Sequence, residues 1–222
     1  MGLPAELRDM IYELALADSN GIGLVCKTKS YRRTVARGLV LDDGNQAWYG
    51  RRRHHEYRAS QSQASQTENK LIPALLAVNK QIYSEAIGYL YQQPIFFADT
   101  YALHSFLCLI GNNRSRVTDL TVKGWGSGRG TNHAMNAFVF PLLGLCTKLE
   151  TLFLDCTIGC MRNPKDLARQ VYRDGHHFFE AYGTSNGSKD AAIDVLVMRG
   201  PNFHEVEFKT QFQAELRKLL GC

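Results

Sequence analysis

An α/β fold, with two N-terminal helices packed on a short and mainly parallel sheet, is predicted by three observations. Two segments near the start repeat apolar residues at helical spacing, and everything after Tyr101 alternates strand-like with helix-like stretches. The third is composition: 45% hydrophobic and 21% charged residues over 222 positions are ordinary values for a chain that buries a core. One domain is expected over residues 1–222, with a helical part over 1–100 and an alternating helix and strand part over 101–222.

In the first segment Leu3, Leu7, Met10, Ile11, Leu14 and Ala15 recur at spacings of three and four, which places them on one stripe of a helix from Leu3 to Leu16. Pro4 suits the first turn, where its missing N–H costs nothing. A second helix, Leu71 to Tyr91, carries Leu75, Val78, Ile82, Ala86 and Tyr89 on one edge, with Leu76, Tyr83, Ile87 and Leu90 beside it. That face is wide, so this helix is expected to be deeply buried; Pro73 starts it and Pro94 stops it. Between the two helices, Gly23 to Leu41 alternates loosely and predicts a short hairpin, or a strand and a bent helix. Gly50 to Lys70 is polar and of low complexity, running Ser60-Gln-Ser-Gln-Ala-Ser-Gln-Thr67, and reads as a mobile linker.

From Tyr101 onward the expected order is a helix over Ala102 to Ile110 stopped at Gly111, a strand over Val117 to Val122, and a helix from His133 towards Cys146 interrupted near Pro141. A strand over Leu149 to Leu154, a helix from Pro164 to Tyr182, a turn-rich loop at Gly183 to Lys189, a strand over Ile193 to Met198 and a helix from Glu207 to Leu220 complete it. Such alternation predicts parallel pairing through right-handed crossovers.

Charge is unevenly placed. Between Lys27 and Arg58 stand nine basic residues, Lys27, Lys29, Arg32, Arg33, Arg37, Arg51, Arg52, Arg53 and Arg58, against the three acids Asp42, Asp43 and Glu56. Two readings follow. One is phosphate contact with nucleic acid, with Trp48, Tyr49 and Tyr57 available to stack on bases. The other is a solvated loop, or a nuclear-import signal built on Arg51, Arg52 and Arg53.

The sequence offers little to an enzyme. Gly124 to Gly130 has the glycine density of a phosphate loop but neither the Gly-Lys-Ser/Thr ending nor a complete dinucleotide fingerprint, and Ser127 is not in a nucleophile elbow. His176 and His177 are adjacent on a helix, about 100° apart, so they do not converge on one metal; one packing and one exposed ring are expected. The six cysteines lack zinc-ligand spacing, and Cys108 and Cys146 fall in apolar helical runs, so buried structural thiols in a reducing, intracellular setting are expected. No apolar run is long enough to span a membrane and no secretory signal opens the chain. No catalytic residue, cofactor or metal is assigned.

Leu3-Pro-Ala-Glu-Leu-Arg-Asp-Met-Ile-Tyr-Glu-Leu-Ala-Leu16, followed by Leu75-Leu-Ala-Val-Asn-Lys-Gln-Ile-Tyr-Ser-Glu-Ala-Ile-Gly-Tyr-Leu-Tyr91 and Ile95-Phe-Phe97, resembles a large group of fungal F-box-like proteins known mostly as domains of unknown function. In that group the second block usually has Cys-Arg where this chain has Asn79-Lys80. The likeness extends weakly to Phe178-Phe-Glu-Ala, Ala192-Ile-Asp-Val-Leu and Phe212 to Leu220. Val117-Thr-Asp-Leu-Thr-Val122 and Lys148-Leu-Glu-Thr-Leu-Phe-Leu154 also resemble the strand phase of leucine-rich repeats. The fold class implied is F-box-like helices packed on a leucine-rich-repeat-like β/α sheet. F-boxes bind the Skp-type adaptor of cullin-RING ubiquitin ligases, so the resemblance implies a non-enzymatic protein-interaction module, with Leu3, Pro4, Leu7, Ile11, Tyr12 and Leu16 as partner-binding residues. The alternative is a nuclear, nucleic-acid- or chromatin-associated protein acting through residues 27–58, chiefly Lys27, Lys29, Arg32, Arg33, Arg51, Arg52 and Arg53. Location is expected in the cytoplasm, the nucleus or both.

Overall fold

A six-stranded sheet forms the spine, and its strands follow one another across the sheet in almost the order in which they follow one another along the chain. The computed structural model describes residues 2–38, 40, 71–125, 131–155, 163–199 and 206–221. Helix α1 (Ala5–Leu16) leads into the hairpin β1 (Ile22–Lys29) and β2 (Arg32–Arg37). After a 3-10 turn (Pro73–Ala77) come α2 (Lys80–Tyr91), β3 (Ile95–Phe97), α3 (Thr100–Ile110) and a second 3-10 turn (Gly111–Arg116). Then follow β4 (Asp119–Val122), α4 (Thr131–Leu143), β5 (Thr151–Asp155), α5 (Pro164–Asn186), α6 (Lys189–Val195), β6 (Leu196–Arg199) and α7 (Val206–Leu220).

The strand order is β2-β1-β3-β4-β5-β6. Among the described residues only the β1–β2 pair is antiparallel; β1, β3, β4, β5 and β6 run parallel. Because each new parallel strand is laid on the same edge, crossovers of one hand keep their helices on one face. Accordingly α3 packs on α4, α4 on α5, and α5 on both α6 and α7. The core fills the space between that helical layer and the sheet, with Ile95, Phe97, Leu120, Val122, Leu152 and Leu154 pointing inward at alternate positions. Gly175 lets α5 approach α4 closely, since a Cβ there would stand 3.0 Å from the Phe140 ring.

Several expectations need correction. The helix expected over Leu71 to Tyr91 is split, because Asn79 turns to an extended backbone and its side chain accepts the Ile82 N–H at 2.8 Å, starting a new helix at Lys80. Nor is it deeply buried: only Ala86 and Ile87 are, while Val78 and Tyr83 are exposed. α5 runs on through Gly183 to Asn186, and Ser188, accepting the Asp190 N–H, caps α6 where a loop and then a strand were expected. The α4 helix passes through Pro141 and ends two residues later, so the missing N–H falls in its last turn. The hairpin, by contrast, forms as one of the two expected alternatives, turning at Ser30 and Tyr31, both with positive φ, between the paired Lys29 and Arg32. The expected linker at about 50–70 lies outside the described residues.

Candidate functional site: the outward face of the first helix

Helix α1 has two apolar faces. At 100° per residue, Leu7, Met10, Ile11 and Leu14 fall in an arc about 100° wide, with Leu3 in line one turn before Leu7. This stripe faces out: Leu3 is 49% exposed, Leu7 47%, Met10 58%, Ile11 43% and Leu14 83%. Tyr12 and Leu16, on the opposite side, are buried and meet Ala86 of α2, with Ala15, Leu75, Leu76, Ile82 and Tyr89 packed around them. The Tyr12 and Tyr89 rings lie 6.1 Å apart, tilted against each other.

With so few buried apolar side chains, polar contacts set how α1 lies on α2. Arg8 and Tyr12 stand four residues apart on α1, as do Gln81 and Glu85 on α2, so each pair shares a helix face. The Arg8 guanidinium grips Glu85 in a fork, Nε donating to Oε2 at 2.9 Å and Nη2 to Oε1 at 3.3 Å, while Nη1 donates to the Leu3 carbonyl at 2.8 Å. The Tyr12 hydroxyl donates to Glu85 Oε2 at 2.9 Å and the Gln81 amide to Oε1 at 2.9 Å. These donors, Gln81 first and then Arg8 and Tyr12, hold the Glu85 carboxyl below the usual carboxylate range. Tyr12 is pushed above the ordinary phenol value, mainly by burial.

The far ends of both helices are tied by one side chain. Gln93 is buried; its Oε1 accepts the Asp18 N–H at 2.8 Å, and its Nε2 donates to the carbonyls of Leu16 at 2.7 Å, Tyr89 at 2.9 Å and Leu90 at 3.2 Å. One amide thus satisfies orphan carbonyls at the C-termini of α1 and α2 together. Asp18, also buried, pairs through its carboxylate with Arg37 at the end of β2 and accepts the Asn20 N–H at 3.0 Å. The lobe is thereby pinned to the hairpin as well.

Of the residues expected to bind a partner, Leu3, Leu7 and Ile11 share the outward face with Met10 and Leu14, and Pro4 is exposed at the N-cap of α1. Tyr12 and Leu16 are corrected: at 3% and 0% exposure they belong to the interior contact with α2. The basic residues scatter. Lys27 and Arg32 are exposed on the hairpin, and Arg33 lies 4.1 Å from the Tyr101 ring centre of α3. Lys29 takes its place in the β1–β2 register opposite Arg32. Arg51, Arg52 and Arg53, like Gly126 to Gly130, Cys156, Cys160 and Cys222, lie outside the described residues. Cys146 is buried, its thiol pushed up to about 12 by desolvation, whereas Cys108 is exposed, against expectation. His176 is half-buried and His177 exposed, with ring centres 3.8 Å apart.

Sequence reasoning missed Arg8, Glu85, Gln93, Asp18 and Arg37. The i, i+4 pairs Arg8/Tyr12 and Gln81/Glu85 were the available signal; nothing local announces Gln93. A cavity of about 410 Å³ opens between the sheet and the lobe, lined by Ile22, Leu24, Leu90, Tyr91, Ile95 and Phe106, with Arg37 at its margin. No group of three His, Cys, Asp or Glu side chains fit to hold a metal occurs among the described residues, and none of their helices is long and apolar enough to cross a membrane.

The fold and this face define a class: a mixed α/β protein whose N-terminal helix pair is clamped by polar contacts and turns an apolar stripe outward. The chain belongs to the family described as Domain of unknown function (DUF7730), whose model matches residues 1–114, from α1 into the 3-10 turn after α3. No curated protein and no solved structure matches the chain.

Proposed function

We propose that this protein is a non-enzymatic interaction module of F-box-like type, in which the outward face of α1 docks a protein partner. The observation that carries this reading is the exposed stripe Leu7, Met10, Ile11 and Leu14 on one short helix, extended by Leu3 just before its N-cap. Scattered single hydrophobes are normal on a surface, but a contiguous apolar patch marks a place that another molecule covers. The motif that resembles an F-box supplies the stripe and its anchor alike, since Arg8, Tyr12 and Glu85 all fall within it. A Skp-type adaptor is therefore the first partner to try.

The test is capture of purified Skp-type adaptor by the recombinant chain and by the double variant Leu7→Asp, Leu14→Asp. Burying each leucine is worth about 1.5–3 kcal/mol, so the double variant is expected to bind at least about a hundredfold more weakly while keeping its melting temperature. No capture by the unmodified chain rejects the adaptor, and equal capture by both rejects α1 as the docking face.

A further inference from the structure

Parallel sheets are ordinarily covered on both faces, yet among the described residues the helices α3, α4, α5 and α7 pack together as one layer, on the side where the sheet's inward residues point. The opposite face carries one cross-strand row: Phe96 of β3 is in register with Thr121 of β4, Thr121 with Phe153 of β5, and Phe153 with Val197 of β6. Phe96, Thr121 and Phe153 are half-buried and Val197 is 41% exposed, so an aromatic and apolar strip meets solvent. Gly21, at φ +74°, holds the chain beside this strip; a Cβ there would come within 2.6 Å of the Phe96 ring.

Cations lie toward the end of the sheet at which the parallel strands finish. Lys123, two residues beyond Thr121, places its Nζ 6.0 Å from the Phe96 ring centre and 5.9 Å from that of Phe153. On β1, alternation from Gly23, the register partner of Phe96, passes through Val25, which is buried beside Gly38, and puts Lys27 on this face, and the hairpin register puts Arg32 there too. Both are exposed. Arg33 and Arg37 take the other face, toward Tyr101 and Asp18. Among the described strand residues, the carboxylates on the row's side are Asp119, at the N-terminal end of β4 and accepting from the Thr118 hydroxyl, and Asp155, which is buried.

We infer that this sheet face binds single-stranded nucleic acid, with bases stacked on Phe96 and Phe153 and phosphates drawn toward Lys123, Lys27 and Arg32. Phenyl rings on a sheet surface accept any base through its π-face, and nearby cations follow the backbone. The two rings sit two strands apart, about 10 Å, which suits bases splayed from an unstacked strand and not a duplex. This surface is separate from the outward face of α1, so either reading stands or falls without the other.

The experiment is fluorescence anisotropy of labelled twelve-nucleotide oligouridine and oligothymidine, single-stranded or annealed, with the full chain at two salt concentrations. Single strands are expected to bind, more tightly than the duplexes, with affinity falling as salt rises. Phe153→Ala is expected to weaken binding about tenfold to a hundredfold. Val197→Glu, which removes no core side chain, weakens it as well, whereas Leu7→Asp with Leu14→Asp leaves it unchanged. Absence of binding, preference for duplex, or affinity that survives both Phe153→Ala and Val197→Glu in folded protein overturns the inference.

Discussion

The helix pair α1 and α2 and the sheet with its helical layer are stabilised in different ways. In the sheet body the inward positions of β3, β4 and β5 are filled by large apolar residues, and side chains such as Phe97, Phe140, Phe178 and Phe179 are wholly enclosed. In the lobe a small cluster centred on Tyr12, Leu16 and Ala86 is buried, and the orientation of α1 comes from the Arg8–Glu85–Tyr12 contact at one end and Gln93 at the other. Directional polar bonds can fix a helix where buried area is too small to do so. Most of the apolar surface of α1 is then left facing outward.

That contrast can be broken most sharply in the body. Phe178→Ala is expected to cost about 3–5 kcal/mol and to lower the melting temperature of the whole chain, because a wholly buried ring packed against Phe140, Phe179 and Tyr182 leaves a cavity. In the lobe, Gln93→Ala is expected to cost about 1–3 kcal/mol, chiefly by leaving the Leu16 carbonyl and Asp18 N–H unpaired; calorimetry against the parent chain reads both values.

Acid separates the regions next. The folded-state pKa of Glu85 is depressed, so its contribution is present above the ordinary carboxylate range and is lost as pH falls through the folded value. Asp99, which caps α3 by accepting the Ala102 N–H, is pushed the other way, mainly by burial; its contribution is fullest below the unfolded value and is lost as pH rises through the folded one. Lowering pH from about 6 to about 3 should therefore reduce protection against hydrogen exchange, measured relative to the intrinsic rate at each pH, in α1 and α2 before α3, and Glu85→Gln should remove that acid sensitivity. Earlier exchange in α3 would contradict the assignment. The smallest effect is expected for Leu14→Ser, within about 0.5 kcal/mol in stability, because the side chain is 83% exposed. A large loss there would mean that the stripe is structural.

Much of the body was legible. Strands expected at Val117 to Val122 and Leu149 to Leu154 appear as β4 and β5 in parallel register, because alternating β-branched and apolar residues bounded by turns have few other solutions. The strand expected from Ile193 begins instead at Leu196: Ala192, Ile193 and Val195 are buried as the inner side of α6, and that packing outweighed their β propensity. Strand β3 has three residues, too few to carry a period, and exists because β1 and β4 both pair with it. The sheet-face row Phe96, Thr121, Phe153 and Val197 could not be read in advance, since register between distant strands gathers it.

The sequence by itself determined that α1 is a helix with an apolar stripe, that a parallel sheet follows, and that positive charge concentrates after Lys27. Which way the stripe points was decided only by the tertiary structure. Periodicity sorts residues onto faces but does not say which face is inward. Here the opposite face carries Arg8 and Tyr12, whose shared partner Glu85 lies 77 and 73 residues away along the chain. A bidentate ion pair and a buried ring on that side outweighed the greater apolar area on the other.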